Sequence, residues 1–132
     1  MIELEDLGWG EDFSSQPMEA FEQMEGIVPA RVSREDRMAY ELVTQGGETI
    51  RAKLGGGLRY RAASREELPA VGDWVLARMI GGGEAMIMMV FSRRSMLARQ
   101  AAGERTDLQI IAANVDTIFI VTSMNQEFEP RR

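Results

Sequence analysis

Between Ile27 and Ser92 the chain alternates apolar and polar residues in five short runs, separated by glycine-rich or charged breakers. A period of two belongs to β-strands, whose side chains point alternately to opposite faces. The runs are IVPARVS, MAYELVT, TIRAKL, DWVLARMI and AMIMMVFS. REDR reads as a polar turn between the first two, and QGGE and GGGE read as hairpin turns further on. The longest interruption, GGGLRYRAASREELPAVG, falls between the third and fourth runs. Five short antiparallel strands interrupted there predict a mainly β fold, a five-stranded barrel of the oligonucleotide/oligosaccharide-binding (OB) type. An SH3-like barrel is the structural competitor, because strand count separates the two poorly.

Residues 1–26 precede the barrel and carry eight acidic and no basic side chains. SSQPMEAFEQMEG predicts one short helix, with Ser14 or Ser15 as cap, Pro17 in the first turn and Gly26 at its end. Met18, Phe21 and Met24 would then face the core. After the barrel (27–92) the texture changes near Phe91. RRSMLARQAAGERTD reads as a polar linker with a helical turn. Ile118 to Val121 form a continuous apolar run, as in a strand buried on both faces of a parallel sheet.

Composition excludes several chemistries. The chain has no cysteine and no histidine, which removes disulfides, Cys/His zinc sites and Cys or His catalysis. The acidic start is unlike a signal peptide, and no apolar run reaches the ~20 residues of a membrane span. A soluble, cytoplasmic protein is the expectation. The glycine clusters at 46–47, 55–57 and 81–83 lack a following Lys-Ser or Lys-Thr, and read as turns rather than phosphate loops. Glu35-Asp36 and Glu66-Glu67 read as solvated surface rather than a catalytic dyad. Taken alone, this chain is expected not to be an enzyme.

The net charge of −6 hides a basic middle: residues 31–105 hold thirteen basic and nine acidic side chains. Local field, not the total, governs phosphate binding. Arg31, Arg34 and Arg37 bracket the first hairpin, Arg51 and Lys53 share a face of the third strand, and Arg59 and Arg61 lie in the long connection. On an OB barrel the face of strands two and three holds nucleic acid. These cations are the candidate RNA-binding residues, with Tyr40 or Tyr60 to stack on an unpaired base. The bland reading makes Arg51 and Lys53 the wet face of a two-sided strand.

Three stretches together resemble the N-terminal part of the ribosome small-subunit-dependent GTPase A family. They are LGWGEDF, LPAVGDWVLAR (Leu68 to Arg78) and FSRRSMLARQAAGERTDLQIIAANVDTIFIV (Phe91 to Val121). Phe91-Ser92 stands where that family commonly has Leu-Pro. The resemblance implies an OB barrel before a circularly permuted GTPase domain and a zinc-binding Cys/His domain. Residues 93–132 would then be a linker and the first strand of that GTPase domain. The chain would be a truncated piece with no cofactor of its own, since GTP, magnesium and the structural zinc belong to the missing domains. It further implies late assembly of the small ribosomal subunit, docking on its ribosomal RNA, and GTP hydrolysis stimulated by that subunit. Arg93, Arg94, Ser95, Arg99, Asn114 and Asp116 become candidates at the interdomain joint. A protein-interaction module contacting its own GTPase domain or a ribosomal protein is the alternative, and a free-standing translation-factor-like OB protein a third. The orphaned strand, Thr117 to Thr122, is expected to pack back on the barrel, pair with another copy, or fray.

Overall fold

A computed structural model describes residues 2–37, 39–62, 65–100 and 108–123. Five strands close into a barrel: β1 (Ile27–Asp36), β2 (Ala39–Val43), β3 (Thr49–Leu54), β4 (Trp74–Gly81) and β5 (Glu84–Val90). Their order is β1-β2-β3-β5-β4, with β4 returning to pair with β1. The β3–β5 pairing is parallel and the others antiparallel. This is the OB arrangement, so the expected fold class holds. β1 runs through most of the expected REDR turn, as far as Asp36, and Arg37 follows with φ 48°. The glycines at 55–57 lead from β3 into a short helix, α3 (Gly56–Arg61), and not into a plain loop as the sequence suggested. Among the described residues no helix is long and apolar enough to cross a membrane.

The interior follows the alternation. Ala30 and Val32 of β1, Tyr40 and Leu42 of β2, Ile50 and Ala52 of β3, and their counterparts Val75, Ala77, Ala85 and Ile87 form one buried cluster. β4 departs from simple alternation because it is covered on both sides. Val75 and Ala77 face the barrel interior, while Trp74 and Leu76 join a second cluster with Phe13 and Phe91. The acidic N-terminal segment supplies that outer cover. Trp9 sits edge-on to Trp74 at 4.9 Å and to Phe91 at 5.3 Å, a geometry favoured by the ring quadrupoles.

Of the expected N-terminal helix (14–26) only one turn forms, α2 (Glu19–Glu22), and a further one-turn helix, α1 (Glu11–Ser14), precedes it. Pro17 divides them, because the residue before a proline is disfavoured in helical conformation. The serines do not cap α2: Ser15 Oγ donates back to the Glu11 carbonyl. Met18 and Phe21 do pack inward, against the aromatic cluster.

The expected helical linker is also corrected. β6 (Met96–Gln100) pairs antiparallel with β7 (Leu108–Ala113) in a separate two-stranded sheet. The run Ile118 to Val121 forms no strand, and Phe119, Ile120 and Val121 are 86–90% exposed. Packing back on the barrel is therefore not the arrangement adopted. A strand buried on both faces needs neighbours on both edges, and the described residues offer this segment none.

Burial pushes the Tyr40 phenol up to about 12, with Glu35 and Asp73 adding to the effect. The folded state thus holds its proton where the unfolded chain has begun to lose it. Stability contributed by Tyr40 is complete below pH ~10 and is lost as the pH rises toward 12. Urea unfolding across this window should show a steeper alkaline decline in the parent than in Tyr40→Phe. Identical pH profiles would contradict that role.

Candidate nucleic-acid interface

Pairing of β1, β2, β3 and β5 leaves an open groove of about 530 Å³ on the barrel. Arg34, Arg51 and Lys53 line it, as the sequence suggested, and all three are exposed. The structure adds what the count of cations missed: Asp36, Glu41 and Glu84 line the same groove. Tyr40 also borders it but is only 3% exposed and belongs to the barrel core. Its ring is committed to packing and is not free to stack on a base. Tyr60, on α3 between exposed Arg59 and Arg61, is 94% exposed and keeps that capacity. Arg37 stands exposed at the β1–β2 turn.

Arg31 has a different task. Its Nε donates to the Gly72 carbonyl at 3.0 Å, Nη1 to the Leu7 carbonyl at 2.6 Å, and Nη2 to the Asn114 carbonyl at 2.9 Å. Burial pulls its pKa down, opposed by the nearby Asp116 carboxylate. A guanidinium committed to three carbonyls holds chain segments together, so Arg31 leaves the RNA-binding set.

The joint candidates meet around this clamp. Asn114 is buried, with φ 56°; its side chain donates to the Gly72 carbonyl and accepts from the Arg94 backbone N–H. Ser95 Oγ donates to the Val115 carbonyl, and the Asn114 N–H donates to the Ser95 carbonyl. Arg94 pairs with Asp116 at 3.2 Å and with Asp12 at 3.6 Å, and lies over the Phe13 ring. Arg99 stands apart on the β6–β7 hairpin, donating to Gln109.

Sequence reasoning missed Asp73, a fully buried carboxylate just before β4. Arg93 forks onto it at 2.8 and 2.7 Å and also donates to the Glu66 and Leu68 carbonyls. The bond to Asp73 raises the Arg93 pKa, against the opposing effect of burial. Asp73 further accepts the Ala70 N–H at 2.7 Å, so the buried charge is fully engaged. A lone acid beside the apolar run WVLA was the one available signal.

Two glycines make the approach possible. Gly72 has φ 93°, and a Cβ there would collide with the Ala113 carbonyl oxygen. Gly8 has φ 102°, and a Cβ there would lie 2.8 Å from Arg31 Nη1. LGWGEDF, LPAVGDW and FSRRS…AANVD are therefore the segments that converge on Arg31 and Asp73.

No protein-family model matches the chain. Among curated proteins it is 39% identical to the small ribosomal subunit biogenesis GTPase RsgA of Opitutus terrae, over 98% of this chain and 37% of that protein. It is 42% identical to RsgA 2 of Lactiplantibacillus plantarum, over 81% of this chain and 30% of that protein. The chain belongs to the RsgA family. It spans about a third of the length of these RsgA relatives. In fold it resembles the crystal structure of YjeQ from Thermotoga maritima, with a TM-score of 0.51 and 23% identity over 68% of this chain and 28% of that one.

Zinc ligation by Cys and His has no donors in this sequence, and among the described residues no acidic cluster could hold a metal ion. The glycine clusters at 46–47 and 81–83 lie in hairpin turns, and no lysine follows the one that opens α3.

Removing one partner of a buried ion pair leaves an uncompensated charge and costs about 3–5 kcal/mol. Arg93→Ala should lower stability by that amount in urea unfolding followed by tryptophan fluorescence. Adding Asp73→Ala to it should cost less than the sum of the two single changes. Strict additivity would show that the pair is not coupled.

Proposed function

We propose that this chain is the RNA-docking barrel of a protein acting in small ribosomal subunit biogenesis. The observation that carries the reading is the open groove of an OB barrel, lined by Arg34, Arg51 and Lys53, in a chain of the RsgA family. Arg37, Arg59 and Arg61 are further exposed cations of the chain. Ribosomal RNA offers phosphates and splayed bases that such a shallow surface can hold. Guanine-nucleotide chemistry falls to sequence beyond the third of the relatives' length spanned here. The partner is the small ribosomal subunit, in the cytoplasm. Exposed Ile118 to Val121 favour an additional contact with a protein surface, of which a following GTPase domain is the simplest.

Binding to isolated small subunits should weaken steeply with salt, with a log–log slope of about −2 for some three neutralised phosphates. Replacing Arg37 and Lys53 by glutamate should cost at least about tenfold in affinity at low salt. A flat salt response, or equal affinity for large subunits, would contradict RNA docking through this face.

A further inference from the structure

Strand pairing sets four charged residues in one transverse row on the outside of the barrel. Arg34 of β1 pairs with Glu41 of β2, Glu41 with Arg51 of β3, and Arg51 with Glu84 of β5. Directly paired residues project to the same side of a sheet. The row therefore reads plus, minus, plus, minus at a strand spacing of about 4.8 Å. All four residues line the groove, where Ile80 and Met86 add apolar surface. The ion pairs among the described residues lie elsewhere, at Arg93–Asp73, Arg94–Asp12 and Arg94–Asp116. The row's charges thus keep their capacity for a ligand.

A row without net charge makes a poor phosphate track, since tracking a polyanion needs charge of one sign. It suits an edge on which a pair of donors adjoins a pair of acceptors. Of the four RNA bases only guanine offers both: N1–H beside its N2 amino group, and O6 beside N7. A carboxylate accepts the donor pair in bidentate fashion, and a guanidinium donates in the same way to O6 and N7. Lys53 occupies the adjacent row between Ala39 and Met86, without a carboxylate directly across on either side. It is free to meet the phosphate of the same nucleotide.

We propose that this groove reads an unpaired guanine. Glu41 accepts from N1–H and the N2 amino group, and a flanking arginine, Arg34 or Arg51, donates to O6 and N7. The inference rests on the RNA-docking reading and gives it a base preference.

The test uses fluorescence anisotropy of labelled RNA octamers with this chain: octauridine, the same RNA with one central guanosine, and the same RNA with inosine at that position. Inosine keeps N1–H, O6 and N7 but lacks the N2 amino group. The guanosine octamer should bind about tenfold more tightly than octauridine, and inosine should forfeit most of that gain. Glu41→Gln should bind the guanosine and inosine octamers alike, with its circular dichroism unchanged. Equal affinity for all three RNAs, or a guanosine preference that survives inosine or Glu41→Gln, overturns the guanine inference and leaves RNA docking standing. Failure of all three to bind at low salt overturns both.

Discussion

The Arg31 guanidinium is the constraint on which everything attached to the barrel depends. One side chain on β1 donates to the carbonyls of Leu7, Gly72 and Asn114, drawn from the N-terminal segment, the loop before β4 and the residue after β7. Hydrogen bonds to a charged donor are worth about 1.5–3 kcal/mol each, and more is lost when buried partners are orphaned. The Arg93–Asp73 fork lies beside the clamp and binds the chain leaving β5 to the same loop. Trp9, Phe13, Trp74 and Phe91 then fill the space that these polar ties enclose. The barrel closes through its own strands, but its N-terminal cover and its C-terminal hairpin are held by this joint.

The strands were legible because one face of each is buried, and burial writes a period of two into the sequence. That pattern weakens where a second layer intervenes: Trp74 and Leu76 are apolar on the outer face of β4 because the N-terminal segment covers them. The N-terminal helix was read too long, and α1 before it was missed, because four-residue helices are too short to show a 3.6-residue period. The β6–β7 pair was missed because MLARQ and LQIIAA have no clear alternation. Conversely, Ile118 to Val121 have the composition of a buried strand, yet composition cannot supply the neighbours that a strand requires.

The arginines show why a candidate site is harder to read than a fold. In the sequence Arg31 and Arg34 look equivalent, three residues apart on one strand. The structure separates them completely, because the carbonyls that claim Arg31 lie 24, 41 and 83 residues away along the chain. Arg93 and Arg94 are likewise claimed by Asp73, Asp12 and Asp116. At the groove, Arg34 and Arg51 are matched across the sheet by glutamates that a tally of basic residues overlooks. The family resemblance, by contrast, was written in residues of the joint. Glycines with positive φ, buried aromatics and paired charges tolerate few substitutions, whereas an exposed docking surface carries no such packing constraint.

The central claim is that Arg31 ties the β6–β7 hairpin and the N-terminal segment to an otherwise self-sufficient barrel. Hydrogen exchange in Arg31→Met tests it most directly. The account predicts that the amides of Ala113 and Asn114 and of the β6–β7 ladder lose protection, while those of β2 and β5 inside the closed barrel retain it. Unchanged protection in the hairpin would contradict the account.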